Sequence, residues 1–160
     1  MFLHPGKKLN FMGSEFGQLR EWDESREQDW DVLRYPIHDG FYHFFQALNR
    51  LYLEHPALWA EDYQGDGFVW LDCHQEGRCL YALERRGGGE RLAAVFNFSD
   101  QCQENYQLTI PHAQGLNLLL DSDSAPYGGS TQQPQNHVPV TDGQVSLTLP
   151  PFSGRLYQIQ

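Results

Sequence analysis

Phe68-Val69-Trp70-Leu71-Asp72-Cys73, Cys79-Leu80-Tyr81-Ala82-Leu83-Glu84 and Arg91-Leu92-Ala93-Ala94-Val95-Phe96-Asn97-Phe98 are the runs whose reading decides the fold. A loop ending in Gly77-Arg78 separates the first two, and Gly87-Gly88-Gly89 separates the second from the third. Short runs rich in β-branched and aromatic residues, bounded by turn residues, are the signature of strands. The three glycines read as a hairpin turn and not as a phosphate cradle, because neither a Lys-Ser/Thr pair nor a helix start follows them. Further strands fit 106–110, 116–120, 145–149 and 155–159. Turn signals at this regular spacing predict an antiparallel β-sandwich, and so a mainly β fold. Residues 121–143, rich in Ser, Gly, Gln and Pro, read as one long surface loop. The chain shows no internal repeat.

Upstream of residue 61 the character changes. Lys8-Leu9-Asn10-Phe11-Met12 is a short strand candidate stopped by Gly13. Ile37, Phe41, Phe44, Phe45, Leu48, Leu51 and Tyr52 then recur at helical spacing. Pro36 suits the first helical position, Asp39 suits the first turn, and His55-Pro56 ends the pattern. A lone strand, a long loop and a lone amphipathic helix look like one βα unit of a larger array. Either the β-rich part covers the helix, or its usual neighbours lie upstream. The expected division is 1–60, an incomplete strand-loop-helix unit, and 61–160, an all-β domain.

Composition narrows the partners. Phe, Tyr and Trp make up 14% of the chain, more than a core of this size needs, and aromatic rings also provide flat apolar faces for sugars. The formal charge of −10 argues against nucleic acid, whose phosphates require clustered Lys and Arg; Lys7-Lys8 and Arg85-Arg86 are only pairs. Cys73, Cys79 and Cys102 do not make a disulfide framework. One bridge from Cys73 to Cys79 is conceivable, yet free thiols in a reducing, cytoplasmic compartment are the preferred reading. Without CxxC or HExxH, no metal is expected, and no cofactor. The start of the chain is too short and too broken for a signal peptide, and no apolar run reaches membrane-spanning length.

Chemistry, if any, belongs to the loop Gly13-Ser14-Glu15-Phe16-Gly17-Gln18-Leu19-Arg20-Glu21-Trp22-Asp23. In a βα barrel, the segment after a strand carries the active-site groups. Glu15 and Glu21 invite a two-carboxylate glycosidase reading, but spacing within one loop fixes no separation, and nothing local would split their pKa values. Ser14 lacks the surroundings of a nucleophile elbow.

The block His4 to Gln18, with Arg20-Glu21-Trp22, resembles the last barrel strand and following loop of bacterial glycogen branching enzymes, members of the α-amylase superfamily. The likeness continues at Asp29-Trp30, Tyr35-Pro36, Leu48-Asn49-Arg50-Leu51-Tyr52, His55-Pro56-Ala57-Leu58-Trp59 and Val95-Phe96-Asn97-Phe98-Ser99. It closes on the block from Asp121 to Tyr127-Gly128-Gly129-Ser130 and on Leu149-Pro150-Pro151-Phe152-Ser153-Gly154. The resemblance implies the last βα unit of a (β/α)8 barrel followed by a β-sandwich. It implies an enzyme that cuts an α-1,4-glucan and rejoins the piece by an α-1,6 bond with retention. The family's catalytic Asp, Glu and second Asp lie on earlier strands, so no catalytic residue is expected here and the chain alone should be inactive. Glu15, Gln18 and Trp22 match the cleft-lining loop; Trp22 and Trp30 are expected to stack on glucose rings, and Glu15 to orient hydroxyls. Tyr127-Gly128-Gly129-Ser130 is either a surface glucan site or, as favoured here, a turn. The implied partners are α-glucan (glycogen or amylose-like chains) and the N-terminal barrel of the same polypeptide. Neither nucleic acid nor membrane is expected, and the apolar helix face makes self-association plausible. A stand-alone glucan-binding module, a purely structural domain and the tail of another α-amylase-superfamily hydrolase are the competing readings.

Overall fold

The computed structural model describes residues 1–160, the side chain of Glu76 apart. One long helix, α1 (Pro36–Glu54), precedes eight strands: β1 (Phe68–Gln75), β2 (Leu80–Gly87), β3 (Glu90–Asn97), β4 (Gln103–Thr109), β5 (Gly115–Asp121), β6 (His137–Pro139), β7 (Gln144–Leu149) and β8 (Ser153–Ile159). They form a six-stranded sheet in the order β1-β2-β3-β8-β5-β6 and a two-stranded sheet of β4 and β7, with every pairing antiparallel. The β2–β3 hairpin turns on Gly88 and Gly89, both at positive φ, the backbone that a tight turn between twisted strands requires.

Alternation along the strands sends their side chains into two cores. Leu80, Ala82, Ala93, Val95 and Tyr157 face Tyr106, Leu108, Val145, Leu147 and Leu149 across the sandwich. Leu83, Leu92, Ala94 and Leu156 point the other way, onto Phe44, Ala47, Leu48 and Leu51 of α1. In β5 the register shifts between Leu118 and Leu120. Leu118 therefore joins the sandwich core and Leu120 the helix-side core, although simple alternation would aim both the same way. The helix thus finds its cover on the sheet, while Ile37 and Leu53 remain exposed.

Two expectations are corrected. Residues 8–12 form no strand. A strand exists only through ladder hydrogen bonds to a neighbour, and the six-stranded sheet is built wholly from residues beyond 67. The 121–143 segment is also not one uninterrupted loop, since β6 adds an edge strand along Gly115–Asn117 of β5. Cys73 and Cys102 are free thiols, so the bridge from Cys73 to Cys79 is not formed. Among the described residues, no helix is long and apolar enough to cross a membrane.

Charged side chains lock the two cores to the segments around them. Glu84 is fully buried and accepts hydrogen bonds from Arg86 Nε at 2.6 Å and from Arg91 Nε at 2.7 Å. Arg85, also fully buried, points to the helix side, where Nη2 donates to Asp62 at 2.5 Å, Nε to the Gly67 carbonyl and Nη1 to the Leu3 carbonyl. It thereby ties the N-terminal segment and the 61–67 turn to the sheet.

Candidate functional site

The 13–35 segment has only two short 3₁₀ helices, Ser14–Phe16 and Trp30–Arg34, and is otherwise held by its own polar side chains. Gly13 and Gly17, both at positive φ, bracket a single 3₁₀ turn, Ser14–Phe16. A Cβ at Gly13 would come within 2.7 Å of Gln18 Cβ, so glycine permits both the turn and the close return of the chain. Phe16 is wholly buried against Trp30, ring centroids 4.4 Å apart, and its carbonyl accepts from His38 Nδ1 at 2.9 Å. The turn is thus fastened to the first turns of α1.

Gln18 spans the segment. Its Nε2 donates to the Arg20 carbonyl at 3.0 Å and its Oε1 accepts from the Asp29 backbone at 2.9 Å. Arg20 closes the same gap: Nε and Nη2 reach the two carboxylate oxygens of Asp29 at 3.0 and 2.9 Å, and Nη2 also donates to the Glu27 carbonyl. This forked pairing holds the Asp29 carboxyl below the usual carboxylate range. Asp23 is lowered too, by hydrogen bonds from the hydroxyl and backbone N–H of Ser25 that shape the tip. Arg20 and Asp29 lie nine residues apart in an aperiodic stretch, so no local sequence signal announced the pair.

With the frame fixed, two indoles stay accessible. Trp22 is 41% exposed, with Phe11 set edge-to-face against it at 5.4 Å. Trp30 is 45% exposed with its inner side on Phe16. Glu15 accepts from Asn10 Nδ2 through Oε2 at 3.0 Å. Arg20, Glu21, Trp22, Asp23, Glu24 and Arg26 line an open hollow at the tip. Of the residues singled out from the sequence, Glu15 lies within the 3₁₀ turn and Gln18 just after it, Trp30 is brought onto the turn through Phe16, and Trp22 lies on Phe11 instead.

The Tyr127-Gly128-Gly129-Ser130 block is a clasp. Asp123 accepts from the Ser130 backbone and hydroxyl and from the Thr131 hydroxyl at 3.1, 2.8 and 2.6 Å. Burial alone would raise this carboxyl; the hydrogen bonds outweigh it and hold it below the usual range. The Tyr127 ring rests edge-on against Phe44 at 5.4 Å, and Gly40, the buried residue of α1, lets the Tyr127 backbone approach.

Comparison with known proteins agrees with this architecture. A family model described as "Alpha amylase, C-terminal all-beta domain" matches residues 70–160, the span of the eight strands bar the start of β1. The chain is 45% identical, over 86% of its length, to a 1,4-alpha-glucan branching enzyme GlgB of Pseudomonas aeruginosa, of which it covers 19%. Proteins of the same name from Nitrosococcus oceani and Oceanobacillus iheyensis are 37% and 39% identical over 100% and 82% of the chain. The chain spans only 22% and 21% of those two relatives, so about a fifth of the length of the curated proteins it matches. A solved structure of a MutB mutant in complex with glucose superposes with a TM-score of 0.50 at 23% identity, over 75% of this chain and 18% of that one, a likeness of fold. Two antiparallel sheets sharing one core, on the residues that the family model covers, lead to one assignment: the chain belongs to the family of α-amylase C-terminal all-β domains.

Proposed function

We propose that the chain is the C-terminal part of a 1,4-α-glucan branching enzyme of glycogen synthesis, which cleaves α-1,4 bonds and forms α-1,6 branches. One observation carries this reading: relatives of that name match 82–100% of the chain, while the chain accounts for about a fifth of each. Catalysis then belongs to the remainder of the longer polypeptide, and the chain alone neither branches nor hydrolyses amylose. In this reading residues 1–60 are the last strand-loop-helix unit of the catalytic barrel, with residues 61–160 as a domain behind it. Exposed Leu9, Phe11, Met12, Leu19 and Ile37 form the face that the barrel covers. Trp22 and Trp30 stack on glucose rings at the cleft, Glu15 turns Oε1 to a sugar hydroxyl, and Gln18 acts through the loop that its amide spans. A cytoplasmic setting suits the free thiols of Cys73 and Cys102.

The test is a chimera in which residues 1–160 replace the matching segment of the Pseudomonas aeruginosa relative. Branching of amylose, followed by iodine staining, should be retained, and Trp22→Ala in the chimera should lower it. A folded chimera without branching activity would overturn the proposal, as would turnover by the isolated chain.

A further inference from the structure

A second aromatic surface lies away from the 13–35 segment, on the helix-side face of the six-stranded sheet. The ring of His4 lies 5.4 Å from Phe68, Phe68 lies 5.2 Å from Trp70, and Trp70 lies 6.4 Å from Tyr81 on the next strand. Tyr81 continues to Phe98 at 5.9 Å, and Phe98 stacks on Phe96 at 5.5 Å with the planes 10° apart. The register explains the continuity: Tyr81 stands opposite Phe96, and Gly154 stands opposite it on the other side. A Cβ at Gly154 would meet the Phe96 ring at 3.1 Å, so the glycine makes room for the ring. Phe68 and Phe96 pack partly into the helix-side core, and the ladder runs outward from them. Trp70 is 46% and Phe98 58% exposed.

We propose that this ladder binds an α-glucan chain at a site separate from Trp22 and Trp30, by stacking of pyranose C–H faces on Trp70, Tyr81 and Phe98. The occupant is neutral, because the ladder carries no formal charge in a chain of net charge −10, and Arg85, which shares this face opposite Phe68, is buried and paired with Asp62. It is also ring-shaped in its demands. The 9–41 surface mixes Leu9, Met12, Leu19 and Ile37 with aromatics, as protein-docking surfaces do, whereas the ladder exposes rings alone. Mutual ring contacts, edge-on at Phe68–Trp70, tilted at Trp70–Tyr81 and Tyr81–Phe98 and stacked at Phe96–Phe98, hold those rings in place, so little side-chain freedom is lost on binding. The choice of glucan over another neutral sugar rests on the function proposed above.

Native gels with and without glycogen, and maltoheptaose titration followed by tryptophan fluorescence, test the site on the 160-residue chain. Glycogen should retard the chain, Trp70→Ala and Phe98→Ala should each weaken maltoheptaose binding about tenfold, and Tyr63→Ala, which removes an exposed ring outside the ladder, should remain retarded. Trp70→Phe, which keeps a ring, should recover most of the affinity, and thermal melts show whether the alanine variants are folded. The proposal is overturned by an unretarded wild-type chain, by full retardation of the folded ladder variants, or by loss of retardation in Tyr63→Ala. It is also overturned if sedimentation shows that the ladder variants merely dissociate a dimer that glycogen leaves intact, for the occupant is then a second copy. The chimera is scored by branching, so an active chimera with an unretarded chain would remove this site and leave the enzyme reading standing.

Discussion

Arg85 carries its charge into the protein because three separate acceptors, Asp62 and the carbonyls of Gly67 and Leu3, meet at its guanidinium. Losing one partner of such a pair leaves the other charge buried and uncompensated, at a cost of about 3–5 kcal/mol. Arg85→Met should therefore lower the unfolding free energy extrapolated from urea denaturation by an amount in that range, and Arg85→Met combined with Asp62→Leu should regain most of it. Near-equality of the single and double variants would show that the pair has no such role. Glu84 makes a second prediction at this scale. Its burial opposes ionisation, but the hydrogen bonds from Arg91 and Arg86 prevail and its pKa lies below the ordinary value. A carboxyl depressed in the folded state adds stability that is fully present above its unfolded pKa, about 4.3, and is lost as pH falls through the lower folded value. Stability measured between neutral and acid pH should fall on the acid side, and Glu84→Gln should flatten that fall while lowering stability at pH 7. An unchanged acid limb in the variant would assign the pH dependence to other groups. In the sequence, Arg85-Arg86 was only a basic pair; nothing local shows that its members point to opposite sides of the sheet.

At the scale of elements, the fastening of α1 depends on Gly40. Alanine is the better helix former by about 1 kcal/mol, which by itself would favour the substitution. The added Cβ, however, would stand 2.9 Å from the Tyr127 carbonyl carbon, backbone that the Asp123 hydrogen bonds hold in place. Overpacking of this kind costs about 1–3 kcal/mol, so clash should win and Gly40→Ala should be net destabilising by thermal melting. A more stable variant would mean that the clasp yields easily. How far such elements could be read from sequence depended on the range of the forces that form them. The helix was legible because its spacing, Pro36 and His55-Pro56 are local signals, and most of the strands were legible from alternation and turns. The partition into sheets was not, since pairing β8 with β3 and β5 is a long-range choice. β6 escaped because three residues ending in proline look like loop. The strand expected at 8–12 failed for the complementary reason, since propensity makes no strand without a paired neighbour. Of the candidate site, the accessible Trp22 and Trp30 were legible as residues, whereas the Arg20–Asp29 and Gln18 links that set their frame were not.

For the whole molecule, one side of the six-stranded sheet is covered by β4 and β7 and the other by α1. Removing residues 1–60 would strip Leu83, Leu92, Leu120 and Leu156 of their cover, so a 61–160 fragment should bind an apolar dye and aggregate more readily than the full chain. A fragment as stable and dye-silent as the parent would make the 1–60 segment dispensable. The full chain, with its exposed 9–41 surface, should itself show concentration-dependent association in sedimentation. Strictly monomeric behaviour without dye binding would count against that.

The position of β8 also bears on how the molecule is made. Of the eight strands it is the last in chain order, yet it lies between β3 and β5 and alone joins the β1–β3 meander to the β5–β6 pair. On the ribosome the two halves of the sheet must therefore wait, with their inner edges unpaired, until residues 153–159 have left the exit tunnel. A translation stop at residue 152 should thus yield two unjoined half-sheets and insoluble product, whereas a small loss from β6 at the far edge should leave the rest of the sheet paired.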